Sequence, residues 1–146
     1  MKEILNTSFR VFREDQSCHK FVGFDVVDNF DKLIFETSYC PKYLDDDKTS
    51  MSIIKNTIAS EGAYLKLSDE QLALNFPLKN HISWSFDSPS KFVGTKHLSW
   101  QKQTHFVSAQ DASFGLFPTQ IEKGKWRVTA SLNCIVTEWI DINIIV

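Results

Sequence analysis

The stretch whose reading decides the fold lies near the end of the chain. It runs Trp126-Arg-Val-Thr-Ala-Ser-Leu-Asn-Cys134 and, after a short break, Trp139-Ile-Asp-Ile-Asn-Ile-Ile-Val146. Trp126, Val128, Ala130, Leu132 and Cys134 alternate with Arg127, Thr129, Ser131 and Asn133. Ile140, Ile142, Ile144 and Val146 repeat the pattern. Alternation with period two predicts strands that turn one face to a core and the other to water. That points to an antiparallel β-sandwich, jelly-roll-like, rather than to a catalytic α/β layout.

The same period appears upstream. Phe9–Phe12 and Lys20–Val27 read as strands, the second ending in the turn-forming Asp28-Asn-Phe-Asp31. Leu33–Tyr39 puts Leu33, Phe35, Thr37 and Tyr39 on one face, and Cys40-Pro41 stops it because proline cannot donate to a ladder. Leu78–Phe86 sets Ile82, Trp84 and Phe86 against His81, Ser83, Ser85 and Asp87. Asp87-Ser-Pro-Ser90 is a turn, Phe92–Gly94 a short edge piece and Gln103–Ala109 a further strand. About residues 45–76 the pattern changes. Asp47 is placed to cap a helix over Lys48–Ser60, with Met51, Ile54 and Ile58 at helical spacing and Gly62 beyond its end. Ser68-Asp-Glu-Gln71 has capping-box form. The expectation is one sandwich domain, 1–146, with a helical insertion.

Composition agrees. The 146 residues, 42% apolar and 23% charged, are enough for a core without disulfides. Twelve Phe and four Trp favour strands. A net charge of −2 leaves no basic footprint for nucleic acid. No apolar run is long enough to span a membrane, and Met1–Asn6 lacks the apolar core of a signal peptide. Cys18, Cys40 and Cys134 are odd in number and far apart, so three reduced thiols in a cytoplasmic protein are expected.

Three segments carry a resemblance. Asp87-Ser-Pro-Ser-Lys-Phe-Val-Gly94 follows a strand and resembles Asp-x-Pro-x-x-Phe-x-Gly. Ala112-Ser-Phe-Gly-Leu116 resembles Ala-Ser/Thr-Pro-Gly-Phe, with the proline replaced. Ile121-Glu-Lys-Gly-Lys-Trp-Arg-Val128 resembles Ile-x-x-Gly-x-Trp-x-Val, and Tyr39-Cys-Pro41 fits Tyr-x-Pro. In this order they resemble the β-sandwich domain that precedes the catalytic domain in some bacterial PHP-type metal-dependent phosphoesterases. The resemblance covers about Phe21 to Val146. It implies an accessory domain, here standing alone and without the metal-binding part of such enzymes.

Chemistry-bearing constellations are sparse. His19, His81, His97 and His105 show neither a His-x-His pair nor helical pairing with Glu. His97 and His105 could approach across paired strands, but surface positions are the simpler account. Adjacent Cys18-His19 would point to opposite faces of a strand. Asp45-Asp46-Asp47 invites a calcium reading but lacks the spacing of an EF-hand loop, and a solvated lead-in to a helix fits better. No nucleophile elbow or phosphate-cradling loop occurs. No catalytic residue and no cofactor is assigned.

Trp139 falls out of phase with Ile140, Ile142 and Ile144, and shares a face with Asp141, Asn143 and Ile145. An outward Trp is a binding feature, unless the helical insertion covers it. Trp139, Ile145, His97 and Trp100 are the candidate binding residues. The expected function is a non-catalytic binding or accessory module for a protein partner, a companion phosphoesterase or a second copy. The alternatives are a jelly-roll carbohydrate or small-ligand binder, and an enzyme assembled from Cys18, His97 and His105.

Overall fold

The alternating segments form strands in a computed structural model that describes residues 1–62 and 66–146. Among the described residues there are ten strands: β1 (Asn6–Phe12), β2 (His19–Val26), β3 (Lys32–Cys40), β4 (Tyr43–Leu44), β5 (Leu78–Lys79), β6 (His81–Asp87), β7 (Phe92–Lys96), β8 (Lys102–Ser108), β9 (Gly124–Cys134) and β10 (Trp139–Ile145). Two helices, α1 (Asp47–Ser60) and α2 (Asp69–Ala73), lie between β4 and β5. One sheet has the order β1-β10-β3-β8, the other β2-β9-β6-β7, and all their pairs are antiparallel. The expected antiparallel β-sandwich is therefore present. Among the described residues no helix is long and apolar enough to cross a membrane.

The core lies between the sheets, where alternate residues of each strand meet. β3 delivers Leu33, Phe35, Thr37 and Tyr39, and β10 delivers Ile140, Ile142 and Ile144. From the facing sheet come Trp84 and Phe86 of β6 and Trp126, Val128, Ala130 and Leu132 of β9, all buried. Phe35 bridges the layers, 4.5 Å from the Phe86 ring and 6.3 Å from Phe24. Edge and tilted ring contacts add to the burial of these large apolar areas.

The helical insertion between β4 and β5 stands as expected, with its base closed by the β4–β5 ribbon. The part of it at 63–65 lies outside the described residues. One detail differs: the N-cap is Asp46, not Asp47. Asp46 keeps an extended backbone, and its carboxylate accepts the N–H groups of Lys48 and Thr49 at 3.0 and 3.4 Å. The Ser68–Gln71 capping box forms in both directions. A second difference is that Leu78–Phe86 is not one strand. Asn80 separates β5 from β6, and the β6–β9 register shifts next to it.

Candidate functional site

A sandwich displays side chains on its two outer faces and at its ends, and the predicted residues divide among these places. On the outer face of the first sheet, the β1–β10 register sets Arg10 opposite Asp141 and Phe12 opposite Trp139. The Arg10 guanidinium forks onto Asp141, donating from Nε at 2.7 Å and from Nη2 at 2.9 Å. The same planar group lies 4.0 Å from the centroid of the Trp139 ring. A guanidinium can do both at once, because its edge matches a carboxylate and its face an indole. The hydrogen bond from Arg10 holds the Asp141 carboxyl below the ordinary carboxylate range. Trp139 is 36% exposed, so the ring is an outward one with Arg10 over it.

Ile145 shares that face but not that patch. Six residues of extended chain separate it from Trp139, about 20 Å. It lines instead a groove of about 380 Å³ beside Ile4, Phe30, Ile34 and Val146. Between the two lies a shallow groove of about 410 Å³ lined by Ser8, Ser38, Cys40, Lys102, Asp141 and Asn143, among others. The Asn143 amide donates to Ser8 Oγ at 2.9 Å and to the Thr7 carbonyl at 3.1 Å, which orders the wall between β1 and β10.

His97 follows directly on β7 of the other sheet. There a row of polar side chains crosses the outer face from strand to strand. His19 Nδ1 meets Ser131 Oγ at 2.9 Å, Ser131 stands opposite Ser83, and Ser83 Oγ meets His97 Nδ1 at 3.0 Å. The next row holds Phe21, Thr129, Ser85 and Thr95, with the last two hydroxyls 3.1 Å apart. Arg127 closes the strip, bonded to Asp87 at 3.1 Å and lying 4.9 Å from the Phe21 ring. Burial, then the nearby His97 and Lys42 charges, push the His81 imidazole below its ordinary value. Trp100 is exposed on the loop between β7 and β8.

The expectation of surface histidines holds for the exposed His97 and needs correction for His105. His97 and His105 do not approach across paired strands, because β7 and β8 belong to different sheets. Nor is His105 a surface residue. It faces the core from β8, with Nε2 2.9 Å from Gln103 Oε1 and its ring 6.1 Å from that of Phe86. Cys18 and His97 are both exposed, so His105 shares no site with them. The three cysteines are unpaired; burial raises the Cys134 thiol. In the Asp45–Asp47 run, Asp46 is spent on the helix cap. Among the described residues no three His, Cys, Asp or Glu side chains converge as metal ligands.

Residues of three of the motifs, Asp87–Gly94, Ala112–Leu116 and Ile121–Val128, meet in one structural corner, while Tyr39 and Pro41 lie by Asn80. Gly124, at φ +132°, lies so close to Pro89 that a Cβ there would come within 2.9 Å of the ring. Gly94, at φ +149°, lets the Gly115-Leu116 backbone cross directly over it. Glu122 accepts from Ser88 Oγ at 2.9 Å, and its carbonyl accepts the Trp126 indole N–H at 2.9 Å. These turns pack against one another and build the corner.

Comparison of the chain with protein families, with curated proteins and with solved structures finds no match.

Sequence reading missed Arg10 as a site residue. Its outward position was legible from the period of Phe9–Phe12. That β1 pairs with β10, 131 residues along the chain, was not, since no local signal encodes it.

Proposed function

We propose that the chain is a non-catalytic binding module that docks on a protein partner. By resemblance, a companion PHP-type phosphoesterase is the first candidate. The observation that carries this reading is the Arg10–Trp139–Asp141 stack on the outer face of the first sheet. Trp and Arg supply a disproportionate share of interface energy. Here the guanidinium is already held flat, so a partner that covers it immobilises less side-chain freedom. The reading carries with it a cytoplasmic setting in which all three cysteines stay thiols.

The test is paired capture from the native lysate with wild type, Trp139→Ala and Arg10→Ala, followed by titration of any captured phosphoesterase. A hot-spot role predicts a loss of about 2 kcal/mol for Trp139→Ala, about thirtyfold in Kd. A partner retained equally by all three would refute the site.

A second reading draws on a different observation. Consecutive strands β1, β2 and β3 pass alternately between the sheets, β6 and β7 pair as a hairpin, and β8, β9 and β10 alternate back. That order is the one expected of a jelly roll. The partly exposed hydroxyls of Ser85, Thr95 and Ser131, flanked by the exposed Phe21 ring, suit a small polyhydroxylated ligand. Calorimetric titration with a panel of oligosaccharides, repeated on Phe21→Ala, separates the readings. Saturable binding lost in that variant favours the second; no heat with any sugar removes it.

A further inference from the structure

The four outer edges of the sandwich are not treated alike. β7 is covered by the loop that crosses it, through the Gly94–Leu116 bridge and the Phe117 N–H bonded to the Val93 carbonyl at 2.8 Å. β8 is covered by the same loop, through the Val107–Ala112 bridge and the N–H groups of Ser113 and Thr119. β2 carries an inward-pointing Lys20, paired with Asp15 at 3.3 Å, a charge that would be stranded if another strand were added. Among the described residues β1 has none of these devices. It is regular over seven residues, has no proline or bulge, and points Thr7, Phe9 and Val11 inward.

Its free hydrogen-bonding groups can be assigned. Leu5 exchanges both backbone bonds with Val146, and the Arg13 N–H reaches the Glu138 carbonyl. In an antiparallel ladder such pairs alternate, so Thr7, Phe9 and Val11 also bond to β10. Asn6, Ser8, Arg10 and Phe12 therefore aim their N–H and C=O groups away from the sheet. The Phe12 N–H is taken by Asp15 Oδ2 at 2.8 Å, which ends the open run. Among the described residues, what remains open is Asn6, Ser8 and Arg10, a run centred on Ser8.

We propose that this edge pairs with the β1 edge of a second copy, antiparallel about a two-fold axis at Ser8, to give one continuous eight-stranded sheet. In that register Ser8 meets Ser8 of the second copy, and each Asn6 meets the other copy's Arg10. All three open N–H groups and all three carbonyls of each copy then find partners. Any register displaced from this one leaves part of the run unpaired. The only charge on the strand, Arg10, is already matched by Asp141, so the copies bring no uncompensated like charges together. The half-buried Phe9 of each copy gains cover from the other copy's Thr7. The pairing is independent of the Trp139 stack, since it uses backbone groups at the edge rather than side chains on the face.

Sedimentation of wild type and Ser8→Pro at high micromolar concentration tests it. Proline removes the central N–H and is tolerated on an edge strand whose N–H faces outward. The expected result is a dimeric wild type and a monomeric variant with unchanged circular dichroism. A second arm introduces Ser8→Cys in a Cys18→Ser, Cys40→Ser background. Facing Cα atoms about 5.5 Å apart lie within disulfide reach, so mild oxidation should join the two substituted positions, as read by peptide mapping. A monomeric wild type overturns the proposal. So does a dimer that persists in Ser8→Pro and yields no such cross-link. Trp139→Ala should leave the dimer intact while weakening partner capture, which keeps the two proposals separable.

Discussion

His105 occupies a core position in β8, directly across the ladder from Phe35. Its alternation with Gln103 and Val107 was visible in the sequence, but two polar residues on one face read as a wet face. They are buried because they satisfy each other: His105 bonds Gln103 Oε1, and Gln103 Nε2 donates to the Leu98 and Trp100 carbonyls at 3.1 and 3.0 Å. Buried polar groups persist where such partners exist. Trp84 and Trp126 were legible for the opposite reason, since large apolar residues in phase have no competing account. Burial, then the Lys96 charge, push the His105 imidazole from 6.5 to about 4. The unfolded chain's imidazole keeps its ordinary value near 6.5. Across that window the unfolded state binds a proton that the native state refuses, so stability rises with pH between about 4 and about 6.5. The full contribution is present above the upper limit and is lost on acidification toward the lower one. Urea titrations at a series of pH values should show wild type losing more stability on acidification than His105→Leu. Parallel curves for the two proteins would mean that this imidazole is not linked to folding.

At the scale of elements, the strands were legible because a period of two leaves little ambiguity when one face is buried. Their junctions were not. Asn80 interrupts what reads as a single strand, and local sequence shows an ordinary polar residue there. In the fold it is the buried hub of one end of the sandwich. Its Oδ1 accepts the N–H groups of Val136 and Thr137 at 2.8 and 3.3 Å. Its Nδ2 donates to the Pro41 carbonyl at 2.9 Å and to Thr137 Oγ1 at 2.8 Å. Its backbone N–H bonds the Lys42 carbonyl, and its carbonyl accepts from Tyr39 Oη. One amide thus ties the exit of β3 to the crossing from β9 to β10. Asn80→Ala would leave several of these groups buried and unpaired, each costing about 1–3 kcal/mol. A total loss of about 3–5 kcal/mol is expected for partial relaxation of the site. Asn80→Asp keeps the acceptor and loses the two donated bonds, so its midpoint should fall between the two. A change in Asn80→Ala no larger than that of an exposed Asn→Ala control would show that the crossing holds without the hub.

For the whole molecule, the problem a sandwich must solve is its edges, because an unpaired strand invites another chain. One side of this protein solves it with a single loop that caps β7 and β8 together, crossing at Gly94, Gly115 and Leu116. Gly94 is its tightest point. At φ +149° a Cβ on Gly94 would sit 2.6 Å from the Gly115 carbonyl oxygen and within 3 Å of Leu116. Backbone cannot yield as a flexible side chain does. Gly94→Ala should therefore combine overpacking of about 1–3 kcal/mol with backbone strain of about 1–3 kcal/mol. The loop would lift rather than the strand move, since β7 is also tied to β6. Lifting the loop bares both edges at once. Gly62 is the control. At φ +66° it has nothing within 4 Å of an added Cβ, so Gly62→Ala should cost only the left-handed backbone penalty, about 1–2 kcal/mol. The two variants are expected to differ in kind as well as in size. Gly94→Ala should lose stability in denaturant titration and also scatter light at concentrations where wild type and Gly62→Ala stay clear. If Gly94→Ala lost stability yet remained as soluble as the control, the loop would be packing support alone, and the protection of β7 and β8 would have to come from elsewhere.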